Sequence, residues 1–320
     1  MVRTGIDLGT GSVKLVRGEG SPTLERVTHF GIEDWDPPET GDDTARASTA
    51  LRRLLDRLKL GKSRLGPIAV AVGGDDASLR EVVVPTLTED ELRRALPFEA
   101  QRHLNLEEMV SPILDFQVLG SAAPSENGGP EQIRVLLAAT ARAQRDFPLE
   151  VLSRLGLEPQ VIDLEPLASL NALLATIPFD EKQPAAVGLL DLGARRTRLH
   201  LTQKDGKLLM RQIGAGVPEA GGAEQLPALI DKVTRRIRET FTFYRSRYRE
   251  NVGQIFVAGG GALAAGVCEA LESALDLPAS ILDPLEGLAE SAEGSEADKA
   301  RGARLVTACG LCRWWDGTSV

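Results

Sequence analysis

Apolar runs that end at an acidic residue and a glycine turn mark the start of each half of the chain. The first run ends at Asp7, turns at Gly9 and Gly11, and continues as an alternation of apolar and polar residues. This pattern predicts a β-hairpin. Backbone N–H groups at its tip, together with the hydroxyls of Thr10 and Ser12, can bind an anion such as phosphate. From this segment alone, an ordinary first hairpin with a glycine turn is an equally valid interpretation.

The same pattern occurs a second time, in residues 186–201. An apolar run ends at Asp191, a polar turn follows Gly193, and the alternation resumes as far as Leu201. Two copies of one unit far apart in a chain indicate an internal duplication. The sequence therefore predicts a fold built from two similar halves.

A third glycine turn consists of Gly259, Gly260 and Gly261. It follows an apolar run and precedes a helix that is predicted to begin at Val267. Glycines at a strand-to-helix junction let a flat ligand approach the backbone closely and leave N–H groups of the helix free. A ligand contact is therefore expected at this turn.

Apolar residues at a spacing of three or four predict the main helices. They are expected over residues 44–58, 88–104 and 226–248. Thr88 and Glu91 have the spacing of a capping box at the start of the second of these helices. Pro97 is expected to kink that helix or split it in two. Strands are expected at residues 68–72, 79–84, 114–119 and 133–138, the last two joined by a hairpin loop at 122–130.

Composition narrows the class of protein. With 320 residues, 42% of them hydrophobic, the chain is long enough for about two globular domains. The formal net charge of −9 argues against a nucleic-acid partner. No run approaches the ~18–20 apolar residues of a membrane span, so a cytoplasmic protein is expected. Three cysteines make no disulfide framework, and Cys309 and Cys312 lack the second pair of a zinc site.

The order of the three glycine segments resembles that of the actin-like ATPase superfamily. Residues 7–11 are similar to its phosphate-one motif, residues 191–193 to its phosphate-two motif, and residues 259–261 to its adenosine motif. The resemblance implies an α/β protein with a duplicated actin-like (ribonuclease H-like) fold and a nucleotide cleft between its two domains. Domain 1 is expected at 1–165 and domain 2 at 166–320.

The resemblance also implies roles for individual residues, with ATP and Mg²⁺ as cofactors. Phosphate binding is expected of Gly9, Thr10, Gly11, Ser12, Lys14 and Gly193, and adenosine binding of Gly259, Gly260 and Gly261. Asp7 and Asp191 would hold Mg²⁺ mostly through water. Glu165 opens a segment similar to the interdomain helix of bacterial actins, which implies that it orients the attacking water. An acid favoured by a helix macrodipole is the other interpretation of Glu165. At most a slow ATPase is expected, because a switch needs a long-lived bound state.

Nearly the whole chain resembles the PilM family of type IV pilus assembly, a narrower group within that superfamily. The residues that carry this resemblance are 82–92 with Phe98-Glu99-Ala100, 115–120, 155–159, 241–246, 277–278 and 283–284. The resemblance implies a cytoplasmic protein at the inner face of the inner membrane. Its implied partner is the N-terminal peptide of a PilN-like bitopic inner-membrane protein.

The resemblance places the peptide in a groove of an inserted subdomain at about residues 66–134. An apolar stripe on the helix over 88–104 would bury side chains of an extended peptide. The stripe consists of Leu92, Ala95, Leu96 and Phe98. Packing of the stripe against its own sheet is the alternative for each of these residues. A helix near the end of the chain is expected to pack back on domain 1.

One departure from PilM relatives follows residues 211–216. The chain passes through residues 219–223 directly into the next helix, which implies a reduced insertion in the second domain. In relatives that insertion covers one side of the nucleotide base, so a nucleotide-free scaffold is one alternative function. A small-metabolite kinase is another, although no polar cluster suited to a sugar or carboxylate is recognisable. Self-association, as in actin, is a further alternative.

Overall fold

A computed structural model describes residues 1–20, 23–73, 77–104, 106–107, 109–122, 131–177, 186–203, 208–216, 226–288, 294, 296–299 and 301–314. The chain forms two compact units. The core unit consists of residues 1–71 and 151–320, and the inserted unit of residues 72–150.

Strands and helices alternate in blocks along the chain. The strands are β1 (Val2–Leu8), β2 (Ser12–Glu19), β3 (Arg26–Asp34), β4 (Ile68–Val72), β5 (Ser78–Pro85), β6 (Pro112–Ser121), β7 (Gln132–Ala141), β8 (Val161–Leu164), β9 (Ala186–Leu192), β10 (Arg196–Gln203), β11 (Leu208–Ala215), β12 (Val252–Ala258) and β13 (Ala279–Ile281). The helices are α1 (Asp43–Arg57), α2 (Lys62–Leu65), α3 (Glu89–His103), α4 (Arg142–Ser153), α5 (Glu165–Thr176), α6 (Leu226–Tyr248), α7 (Val267–Leu275), α8 (Glu296–Lys299) and α9 (Val306–Cys312). The three main predicted helices are confirmed as α1, α3 and α6, each within one residue at both ends.

Both five-stranded sheets of the core unit have the same topology. The strand order is β3-β2-β1-β4-β8 in the first sheet and β11-β10-β9-β12-β13 in the second. Each sheet begins with three antiparallel strands, and a fourth strand then adds in parallel beside the first. The predicted duplication is confirmed by this repeat.

The middle strands of the two sheets are covered on both faces. Residues 3–7 of β1 and 186–190 of β9 are all buried. Residues 186–190 of β9 are apolar throughout, as expected for a strand that is buried on both faces. The buried residues of β1 include Arg3, Thr4 and Asp7, whose polar groups have hydrogen-bond or ion-pair partners.

Helix α6 covers one face of the second sheet through a single apolar stripe. Val233, Ile237 and Tyr244 lie on that stripe and share one buried cluster with Leu199 and Leu201 of β10. Their spacing of four and seven residues keeps them on one side of the helix. The stripe therefore fixes α6 on the sheet while its charged residues stay at the surface.

Helix α9 packs closely against β1 and α5 because glycines stand at the contacts. A Cβ atom on Gly310 would collide with the backbone carbonyl of Ala168 in α5. A Cβ atom on Gly5 in β1 would lie 2.6 Å from the backbone nitrogen of Cys312. Helix α9 is thereby held beside the first strand of the core unit.

The inserted unit is a three-stranded antiparallel sheet, in the order β5-β7-β6, with α3 on one face. Leu92, Leu96 and Ala100 of α3 are buried with Val135 and Leu137 of β7. The unit therefore has an apolar cluster of its own.

The start of α3 has the predicted capping box. The backbone N–H of Thr88 donates to Glu91 Oε2 at 2.8 Å, and the backbone N–H of Glu91 donates to Thr88 Oγ1 at 3.4 Å. These bonds satisfy two of the N–H groups that a helix start leaves without partners.

Pro97 does not split α3, which remains one helix from Glu89 to His103. Pro97 is exposed, so the carbonyl that loses its helical partner can bond water instead. Leu96 and Ala100, on either side of it in sequence, are buried against the sheet. Their packing outweighs the lost hydrogen bond.

Some predicted segments lie outside the described residues. They are residues 123–130 of the predicted hairpin loop and the connection at 219–223. Within the described part of the chain, no helix is both long enough and apolar enough to cross a membrane.

The close approach of α9 and α5 predicts the effect of adding one methyl group. Gly310→Ala is expected to lower the free energy of unfolding by about 1–3 kcal/mol, because its Cβ would collide with the carbonyl of Ala168. Chemical denaturation measures this change. Gly61→Ala is the matched control, since a Cβ there has nothing within 4 Å and φ is −71°. Equal stability of the two variants would contradict the packing argument.

Candidate functional site

The first glycine corner is the turn between β1 and β2. Asp7 stands opposite Lys14 in the antiparallel register, and Lys14 Nζ lies 2.9 Å from Asp7 Oδ2. Lys14 Nζ also lies over Gly9, where a Cβ atom would collide with it. Thr10 and Gly11 are exposed at the tip. The corner thus has an open tip with one cation directly behind it.

Ser12, a predicted phosphate ligand, is buried behind the tip. Its Oγ accepts a hydrogen bond of 2.8 Å from Arg304 Nη2, which also donates to Asp34 Oδ1 at 3.0 Å. The hydroxyl is therefore held by the segment that precedes α9. The sequence pattern contained no signal for Arg304.

The second glycine corner is the turn between β9 and β10. Asp191 stands opposite Arg198 in the antiparallel register. The backbone N–H of Gly193 donates to the carbonyl of Arg196 at 2.9 Å, which closes the turn. Asp191 thus occupies in the second sheet the place that Asp7 has in the first.

Arg198 connects this corner to the start of α5. Its Nη1 lies 2.7 Å from Glu165 Oε1 and 3.7 Å from Asp191 Oδ2. Glu165 is the first residue of α5, where a negative charge also interacts favourably with the helix macrodipole. Both interpretations of Glu165 are therefore compatible with its position.

Sequence reasoning missed Arg198, although a signal existed. Lys14 follows Asp7 by seven residues, and Arg198 follows Asp191 by the same seven. An alignment of the two internal copies would have paired the two cations. A single basic residue on an alternating strand otherwise looks like an ordinary solvated side chain.

The pKa values of the three acids reflect burial and these neighbours. Burial raises the pKa of Asp7, and the charge of Lys14 opposes that rise. Burial, aided by the charge of Glu165, raises the pKa of Asp191 to about 6. Burial alone would raise the pKa of Glu165 as well, but the charge and hydrogen bond of Arg198 outweigh it and lower that pKa. The three acids affect one another, so the two corners and the start of α5 form one charged cluster.

The third glycine turn packs directly on the Asp191 corner. Gly259 has φ of +85°, and a Cβ atom there would lie 2.6 Å from Asp191 Oδ1. Gly260 begins a 3₁₀ turn, Gly261 is buried, and α7 begins at Val267 as predicted. Of the three predicted glycines, Gly259 thus lies against the charged cluster, and the other two follow it directly in the chain.

The apolar stripe on α3 divides between two environments. Leu92, Ala95 and Leu96 line a groove of about 60 Å³ between α3 and the sheet of the inserted unit. Other residues that line the groove are Val84, Pro85, Leu87, Glu99, Phe116, Val135 and Leu137. Phe98 is not among them, and 69% of its surface is exposed. The four residues of the stripe therefore do not form one continuous surface.

Comparison with known proteins identifies the family. A model of the family described as type IV pilus assembly protein PilM matches residues 5–218 and 214–313. The chain belongs to the PilM family. The two matched stretches overlap at residues 214–218, where β11 ends.

Solved structures agree on the fold. The PilM-PilN type IV pilus biogenesis complex is similar with a TM-score of 0.75 at 23% identity, and 97% of each chain is covered. The ethanolamine utilization protein EutJ from Carboxydothermus hydrogenoformans is similar with a TM-score of 0.51 at 13% identity, covering 98% of this chain and 89% of that one. The predicted duplicated actin-like α/β fold is confirmed.

The contact between Gly259 and Asp191 predicts that Gly259 of this PilM-family chain is harder to replace than Gly266, another glycine with positive φ. Gly259→Ala is expected to lower the free energy of unfolding by about 1–3 kcal/mol more than Gly266→Ala, because both have positive φ but only Gly259 faces the Asp191 carboxylate. A Cβ at Gly266 has nothing within 4 Å, so that variant isolates the backbone strain. Denaturant midpoints measure both. A larger loss at Gly266 would show that contact with Asp191 is unimportant.

Proposed function

We propose that this PilM-family protein is an ATP-binding adaptor of type IV pilus assembly. It binds ATP·Mg²⁺ at the charged cluster and the N-terminal peptide of a PilN-like bitopic inner-membrane protein in the groove of the inserted unit. That partner places it at the cytoplasmic face of the inner membrane. The nucleotide state changes its affinity for the peptide.

One observation carries the nucleotide part of the proposal. Two glycine corners from two copies of one unit converge on a single, largely buried cluster that contains Asp7, Asp191 and Glu165. Burying three acids is unfavourable unless cations compensate them. Such an arrangement is expected where a charged ligand binds.

Individual residues have definite tasks in this proposal. The backbone N–H groups of the exposed first tip and of the Gly193 turn bind the phosphates, with Lys14 behind the first of them. Gly259, Gly260 and Gly261 face the adenosine. Glu165 orients the water that attacks the terminal phosphate, and hydrolysis is slow.

The donor set fits a hydrated magnesium ion. Among the described residues, no group of three His, Cys, Asp or Glu side chains is placed so that it could hold a metal ion by itself. Mg²⁺ keeps several waters and uses one or two carboxylates together with substrate phosphates. Asp7 and Asp191 are the two carboxylates in question, and the ion would neutralise phosphate charge beside them.

The groove of the inserted unit supports the peptide part of the proposal. It is apolar apart from Glu99 and is lined by Leu92, Ala95 and Leu96. Its 60 Å³ is the space of about two water molecules. It can therefore receive one small aliphatic side chain of an extended peptide. The similar PilM-PilN complex supports a PilN-like partner for this chain.

The nucleotide part is tested by calorimetry with ATP·Mg²⁺. Asp191→Asn is expected to weaken binding at least 10-fold, because it removes a charge that positions Arg198 and Mg²⁺. It should also abolish any effect of ATP on peptide binding. Asp56→Asn, an exposed change on α1, is the control.

Other outcomes of this experiment have clear meanings. If the wild type binds the peptide but does not bind ATP·Mg²⁺, the protein is a nucleotide-free scaffold. ATP turnover that rises when sugars or short carboxylic acids are added would instead indicate a small-metabolite kinase.

The peptide part is tested by filling the groove. Ala95→Leu is expected to weaken binding of a PilN-like N-terminal peptide at least 10-fold, because its added methyl groups occupy the groove. Fluorescence anisotropy of a labelled peptide measures this. Gln101→Leu introduces the same leucine side chain at an exposed position of α3 and should leave peptide binding unchanged. An equal loss of peptide affinity in both variants would contradict binding in the groove. A loss of affinity with Phe98→Ala alone would show that the peptide binds on the exposed side of α3.

A further inference from the structure

The two copies of the internal repeat share more than their glycines. In each copy a cation stands directly opposite the aspartate on the returning strand, Lys14 opposite Asp7 and Arg198 opposite Asp191. Lys14 lies over the backbone of Gly9 at the first corner. Arg198 is its structural counterpart in the second half. The duplication therefore supplies one buried cation from each half.

The surroundings of Arg198 leave part of its guanidinium available. Its side chain is only 11% exposed, and its contacts with Glu165 and Asp191 both involve Nη1. No described residue accepts a hydrogen bond from its Nη2 or Nε. Arginine carries five N–H donors in a planar fork. It can thus hold Glu165 with one edge and an additional anion with another.

The charge balance of the cluster determines what an anion needs in order to bind there. Two cations, Lys14 and Arg198, face three carboxylates, Asp7, Glu165 and Asp191. A phosphate chain entering here needs a direct cationic contact from each half to offset these acids. Planar guanidinium groups match phosphate oxygens in geometry as well as in charge.

We propose that Arg198 is a phosphate-binding residue that bridges the terminal phosphate of ATP and Glu165. The inference rests on the proposed nucleotide site and adds a specificity to it. Because Glu165 acts at the terminal phosphate, Arg198 beside it contacts a phosphate that ADP lacks. The protein therefore binds ATP more tightly than ADP. It also links the phosphate to the first residue of α5.

The test measures the affinities of ATP·Mg²⁺ and ADP·Mg²⁺ by calorimetry. Arg198→Gln is expected to weaken ATP binding by about 10- to 100-fold, the usual effect of losing a hydrogen bond between charged groups, and to change ADP binding much less. Arg198→Lys should restore part of the preference, since it keeps the charge but loses the fork. Arg26→Gln, which breaks an exposed ion pair with Glu19, is the matched control.

A second variant separates binding from folding. Arg198→Gln leaves the largely buried Glu165 without its cation, which can destabilise the protein. The double variant Arg198→Gln with Glu165→Gln removes both charges at nearly constant volume. It should unfold at a temperature close to that of the wild type and still lack the preference for ATP. A double variant that prefers ATP as the wild type does would overturn the inference.

The remaining outcomes distinguish this inference from the proposed function. Wild-type binding of ATP with an unchanged affinity and preference in Arg198→Gln would overturn the role of Arg198 and leave the nucleotide site intact. No wild-type binding of either nucleotide would overturn both. Tighter binding by Arg198→Gln would show that the guanidinium blocks the site, and this too would overturn the inference.

Discussion

Compensation of buried charge is the constraint on which the core unit depends. The side chains of Asp7, Asp191 and Glu165 are largely buried, with 11%, 16% and 25% of their surface exposed, and a carboxylate without a cation in such a place costs several kcal/mol. Each has a cation within reach because a basic residue occupies the same place in both copies of the repeat. The pairing draws together two strands of each sheet and the first residue of α5. The charged cluster can exist in the core unit only because these pairs are complete.

Close backbone approach is the second requirement of the site. The carboxylate of Asp191 can lie against the third glycine turn only because Gly259 has no side chain. The absence of a side chain at Gly5 and at Gly310 likewise lets α9 pack on β1 and α5. These contacts hold α9 beside β1 and α5. Arg304, which donates to Ser12 at the first corner, lies just before α9 in the chain.

Several predictions were correct because they depend on local rules. The spacing of apolar residues fixed α1 and α6, and the capping box fixed the start of α3. For two predictions about α3, the outcome depended on tertiary structure instead. A split at Pro97 was wrong, because burial of the residues beside it holds the helix together. Phe98 lies outside the groove, since a helix turns 100° per residue and carries it away from Leu96.

The amino-acid sequence by itself determined the duplication, the elements and the three glycine turns, because hydrophobic periodicity and backbone freedom are properties of short segments. It also contained the seven-residue interval between each aspartate and its cation. Only the tertiary structure decided that Arg198 reaches Glu165, which lies 33 residues earlier in the chain. That contact depends on where α5 docks against the second sheet, and docking is a balance of packing and charge that no local pattern records.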